Sequence, residues 1–286
     1  MSMQSTANTG QPACTHKVVS PESIEGELRD YSAPILIQDL EFHLELFDRT
    51  FLSRLAAIHC DTLLFQFGSR AAALASRIGE RKAWDIAGEI QRTLGRQILP
   101  AVLHVERIEE AALDFDDLTK QGLLKLIRSY WDQWIKIGMA WVDKAESLCG
   151  PDEMVAVSEE HYAAVCRYQM PKLAGLAGVS LDHVIGYVKA NQLGIDTSAG
   201  YRSVKEIVSD DEVHASLMGC DVWGKLRDQG VFDDRSALAM CEREASLCTL
   251  LHGGPPNVCV IPKKPGIGFK GVEPGEPYCV MHFKRT

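Results

Sequence analysis

What this chain lacks narrows its function first. No apolar run approaches the roughly 20 residues that a membrane-crossing helix needs, so no membrane partner is expected. Met1 to Pro12 has neither a basic segment nor an apolar core; a secretory signal is not expected, and a cytoplasmic protein is. Positive charge is in deficit, with 30 Lys and Arg against 39 Asp and Glu and a net charge of -9. Phosphate backbones are bound mainly through clustered cations, so nucleic acid is disfavoured as a partner. No Cys-x-x-Cys pair occurs among the nine cysteines, and the usual signature of a structural zinc site is therefore missing. The residues three before His43, His59 and His104 are Leu40, Ala56 and Ala101, so the Glu-x-x-His pairs of a carboxylate-bridged two-metal bundle are missing there as well.

What remains is an ordinary globular composition. At 286 residues, 46% hydrophobic and 24% charged, the chain can bury a sizeable core in one large domain or two smaller ones. Residues 1–30 read as a disordered polar tail. From 31 to 150 the apolar spacing is helical, beginning with Leu40, Leu44, Phe47, Phe51 and Leu55. Further helices are expected over 62–78, closed by Gly79, over 82–94, and over 98–113 with Pro100 in a first turn. The strongest helix, 118–148, carries Leu124, Ile127, Trp131, Trp134, Gly138 and Val142 on one face and stops at Gly150-Pro151. Together these predict an antiparallel helical bundle.

Residues 151–204 read as a helical connector, with Ser158 capping a helix that Pro171 interrupts near Met170. Lys172 to Val184 resembles a helix-turn-helix, with Gly178 at the turn, Val179 and Val184 in its small core and Ser180 capping a second helix over 181–192. That helix offers Lys189, Asn191 and Gln192 but no arginine, and it opens on Asp182. A turn used for packing is favoured over a transcriptional regulator's DNA reader.

The pattern changes over 205–286. Residues 206–209 and 212–220 read as a hairpin turning at Ser209-Asp210-Asp211, with Val213, Ala215 and Leu217 on one face and His214, Ser216, Met218 and Cys220 on the other. Short helices over 222–229 and 237–251 follow, then strands near 258–261 and 278–284. The fold class expected is α+β, a mainly helical N-terminal bundle followed by a small Cys-rich module with an antiparallel sheet of three or four strands.

Thiols held reduced in the cytoplasm serve as packing, metal ligands or nucleophiles. Cys241, Cys248 and His252 fall on one stripe of a helix. A zinc site or an iron–sulfur cluster would draw on Cys220, Cys241, Cys248 and Cys259 with His252, although intervals of 21, 7 and 11 residues between the cysteines match no familiar ferredoxin run. Cys279 and His282 have chelating spacing, but three residues along a strand put them on opposite faces. Cys220 precedes an expected helix start and has His214 six residues back, which suits a nucleophile and its base. Against both stands the tendency of free cysteines to fill cores.

The segment Gly275-Glu-Pro-Tyr-Cys279-Val-Met-His-Phe283, with Cys241 and Cys248 before it, resembles the end of the L-2-amino-thiazoline-4-carboxylic acid hydrolase-like proteins and their uncharacterised relatives. Cys220-Asp-Val-Trp-Gly-Lys-Leu-Arg227-Asp-Gln-Gly230 looks like the Cys-helix-Gly element of those relatives, and 4-vinyl-reductase-like small-molecule-binding domains end similarly. The resemblance implies hydrolytic opening of a C–N bond in a small heterocyclic amino acid. It would use Cys220 as nucleophile or ligand, His214 as base and Arg227 to hold a substrate carboxylate. The competing implication is a non-catalytic small-molecule-binding protein whose helical half forms a homodimer.

Overall fold

The computed structural model describes residues 40–41, 44–103, 115–195, 201–220, 258–264 and 279–285, which form a mostly helical α+β fold with a small antiparallel sheet. Helix α1 spans Arg49–Ile78. It starts where the Asp48 carboxylate accepts the Phe51 N–H at 2.8 Å and stops at Gly79, whose φ of 90° suits glycine. The two helices expected up to Ile78 are therefore one. Ala56 to Asp61 contains no glycine or proline to break it. Helix α2, Glu80–Leu103, likewise joins the helix expected over 82–94 to the start of the next, with Pro100 inside it. Helix α3, Lys120–Cys149, begins where the Thr119 hydroxyl accepts the Gly122 N–H at 3.0 Å.

Helix α4, Pro151–Ala177, corrects two expectations. Pro151 starts it, so Ser158 is no cap; its hydroxyl donates to the Met154 carbonyl at 3.0 Å in mid-helix. Pro171 lies inside the helix without ending it. Contacts on both sides hold the chain helical there, with Tyr168 stacked on Phe65 at 4.2 Å and Lys172 paired with Asp61 at 3.0 Å. Arg77 bonds Glu153 at 2.8 Å and Glu160 at 2.6 Å, which sets α1 and α4 antiparallel. The Ser53 hydroxyl bonds Asp116 at 2.5 Å and Arg70 lies beside Gly138, so α1 and α3 run parallel.

Gly178, at φ 67°, caps α4 in the left-handed conformation, as its place in the turn predicts. Helix α5, Val184–Gln192, begins three residues later than expected. Ser180 does not cap it; its hydroxyl accepts the Asp182 N–H at 3.1 Å. Lys189 and Gln192, which a DNA reader would present to bases, are 4% and 6% exposed. Buried on nearly every side, α5 is a packing helix.

The sheet strands are β1 (Leu40–Glu41), β2 (Tyr201–Ser209), β3 (Glu212–Cys220), β4 (Val258–Lys264) and β5 (Cys279–Arg285), in the order β1-β2-β3-β5-β4 with every pair antiparallel. The β2–β3 hairpin turns at Asp210–Asp211 as expected. Leu40–Glu41, read from its spacing as helix, instead extends the sheet opposite Lys205 and Val204. Val213, Ala215 and Phe283 form the inner face, and Phe283 meets Tyr187 of α5 with ring centroids 6.1 Å apart. Helices and sheet thus share one hydrophobic core.

His59 ties α1 to the end of α5. Its Nε2–H donates to the Leu193 carbonyl at 2.8 Å, which leaves a buried Nδ1 with no partner. Burial lowers its pKa to about 4. The unfolded chain then takes up a proton below the ordinary imidazole value while the folded one does not. This contribution to stability is complete above about pH 6.5 and is lost as pH falls toward 4. Between pH 7 and pH 5 we expect His59 alone to lower the unfolding free energy by about 2 kcal/mol. Urea titrations of the wild type and of His59→Gln at both pH values check this: an equal fall in the two proteins would remove the assignment.

Candidate metal centre

The outer face of the sheet carries a cluster of ligating side chains. Strand alternation puts Glu212 and His214 on that face of β3, opposite the inward Val213 and Ala215. The β3–β5 register pairs His214 directly with His282 and Glu212 with Lys284. The two imidazoles stack with centroids 3.5 Å apart and planes inclined by 12°. Glu212 Oε1 lies 2.8 Å from His214 Nε2 and 3.7 Å from His282 Nδ1, while Lys284 Nζ sits 3.3 Å from its Oε2. Glu206, opposite His214 on β2, approaches that ring's Nδ1 at 3.9 Å.

Among the described residues, Glu212, His214 and His282 form one group whose ligand atoms all lie within 4.8 Å of one another, and all three are partly buried. The hydrogen bond from His214 holds the Glu212 carboxyl below its usual range; desolvation opposes it, and the hydrogen bond from Lys284 adds to the lowering. The carboxylate is thus the charged form at neutral pH. Two imidazoles and one carboxylate form a donor set that suits zinc and leaves a fourth position for water or substrate. Parallel rings aim their lone pairs side by side, so joint ligation requires one ring to turn about its Cβ–Cγ bond.

No protein-family model, curated protein or solved structure matches this chain.

The cluster shares only His214 with the site residues expected from the sequence. Arg227, Cys241, Cys248 and His252 lie outside the described residues. Cys220 closes β3, with six residues and so about 20 Å of strand between it and His214. Direct proton transfer between the two is outside hydrogen-bond reach. Cys259 on β4 pairs with Lys284, in the same row of the sheet as Glu212. Cys279 and His282 lie three residues apart on the continuous strand β5. Sequence reasoning missed Glu212 and left His282 out of the expected site. The available signal was Glu212-x-His214, two ligands at strand period on a face that the hairpin pattern already set outward.

Proposed function

We propose that the protein is a small-molecule hydrolase whose reacting centre is Glu212, His214 and His282, assisted by a divalent cation, zinc by its donor set. The convergence of a carboxylate and two imidazoles across β3 and β5 carries this reading. When bound there, the cation would supply Lewis-acid polarisation at an open position. Glu206 adds a carboxylate 3.9 Å from His214 Nδ1, and Lys284 holds the Glu212 carboxylate in place. The separation of Cys220 from His214 favours metal assistance over a thiol nucleophile paired with that base. A heterocyclic, amino-acid-like substrate opened at a C–N bond rests on the resemblance of the C-terminal segment, as does any part played by Arg227.

The test is a calorimetric zinc titration of chelator-treated protein, followed by an assay on 2-amino-thiazoline-4-carboxylate with and without zinc. About one zinc per chain and metal-dependent turnover are expected. Absence of saturable zinc binding would sink the reading. Zinc binding without turnover of any thiazoline or related ring would favour the competing binding-protein reading, which the buried polar groups of the helical layer also support.

A further inference from the structure

The helical layer contains a charge that nothing in the described fold neutralises. Arg70 on α1 is 8% exposed and its Nε has no hydrogen-bond partner. No ion pair or hydrogen bond reaches its guanidinium among the described residues, and burial lowers its pKa to about 10. A buried guanidinium in this state is strongly disfavoured unless an anion meets it.

The surroundings are shaped for one. Gly138 on α3 leaves room for the guanidinium; a Cβ there would stand 3.4 Å from an Arg70 terminal nitrogen. On α4, buried His161 places Nδ1 2.8 Å from the Ser69 hydroxyl and lies against Trp134 with centroids 5.7 Å apart, while its Nε2 has no partner. One turn before Arg70 is Gln66, fully buried, with neither side-chain amide atom bonded. Cys60 beside Tyr130 and Arg70 beside Gly138 bracket the α1–α3 register, as Phe65–Tyr168 and Ser69–His161 bracket that of α1 and α4. Gln133 falls between the α3 contacts, near the level of Gln66, and Gln169 lies one residue beyond Tyr168 on α4; both are buried with an unbonded Oε1. Native interiors satisfy nearly all such groups, so this concentration of open donors and acceptors points to a missing ligand.

We propose that α1, α3 and α4 enclose a second binding site, for a compact carboxylate that also carries hydroxyl or amine donors. Its carboxylate meets Arg70 and His161, and its donors meet the side-chain carbonyls of Gln66, Gln133 and Gln169. The planar guanidinium matches a carboxylate bidentately. Burial, with the Arg70 charge beside it, keeps His161 neutral. The single Ser69 hydroxyl proton has two acceptors, His161 Nδ1 at 2.8 Å and the Gln66 backbone carbonyl at 3.2 Å; donated across the shorter contact, it leaves the His161 proton on Nε2 for the ligand. Three amide carbonyls need N–H or O–H partners, which a bare inorganic anion does not provide. The site is argued from the helices alone and does not depend on the sheet cluster.

Trp131, Trp134 and Trp141 lie on α3, so tryptophan emission reports occupancy. Full-length, dialysed protein would be titrated with the common L-amino acids, lactate, malate and inorganic phosphate, following emission and Tm. At least one amino or hydroxy acid is expected to give a saturable change and a higher Tm. Arg70→Met is expected to weaken it by about 100-fold and Gln66→Leu by about 10-fold. Without ligand, Arg70→Met is expected to raise Tm, because it removes an unpaired buried charge; a merely structural arginine would lower it. No response to any carboxylate, or binding that Gln66→Leu and Arg70→Met leave intact, would overturn the proposal. A response to phosphate alone would overturn the ligand class.

Discussion

Replacing Gly186 by alanine is expected to lower the unfolding free energy by about 3 kcal/mol or more, and Tm by on the order of 10 °C. In an ordinary helix the same change stabilises by about 1 kcal/mol, so even the sign is informative. Gly186 is buried in the first turn of α5, and an alanine Cβ there would run into the Ser180 backbone carbonyl. A carbonyl cannot rotate away as a side chain can. The whole 178–183 turn would have to move, and with it Val188 and Tyr187, both 0% exposed, the second of which meets the sheet's Phe283. Gly175 is the control: it lies in α4 with nothing within 4 Å of an added Cβ, so Gly175→Ala should hold or raise stability. Thermal unfolding followed by circular dichroism compares the two. A Tm for Gly186→Ala at or above the wild type would show that α5 and the Ser180 turn are not in the close contact described.

The second large effect is on zinc. His214→Ala and His282→Ala are each expected to weaken zinc binding by on the order of 100-fold, since each removes one of three protein ligands. Glu212→Gln keeps the shape but loses the charge and should weaken it by about 10-fold. Metal-free stability should change by less than about 1 kcal/mol in all three, because these side chains lie on the outer face and are not core. Val213→Ala sets the opposite pattern. Its side chain is fully buried on the inner face, so stability should fall by about 1–3 kcal/mol while zinc affinity holds. Competition with a chromophoric chelator gives the affinities. Unchanged zinc affinity in both histidine variants would mean that the stacked pair ligates nothing. Ligation also displaces protons, so affinity should weaken steadily on acidification.

Several features of the fold were legible in the residue order, and for one kind of reason. Gly79, Gly150 and Gly178 end helices where the sequence places stops, because positive φ angles of 90°, 85° and 67° are a local matter that glycine meets cheaply. The hairpin at Asp210–Asp211 and the inward Val213 and Ala215 follow from strand period, which is equally local. Where local signals were weak, the tertiary structure decided. Pro171 reads as a stop, but stacking at Tyr168 and pairing at Lys172 carry α4 through it. Leu40 has helical spacing, but a free edge of β2 recruits it as strand.

By itself, then, the sequence determined an acidic chain with a helical N-terminal half, glycine-punctuated helices and a C-terminal hairpin whose outward face carries His214. Only the tertiary structure decided what His214 stands beside. Which residue of β5 lies opposite it is a matter of register between strands far apart in the chain, and register is set by long-range pairing that no local pattern encodes. The same holds for Arg70, which a sequence shows only as a charge on a helix; that it is buried without a counter-ion appears only once α3 and α4 close over it.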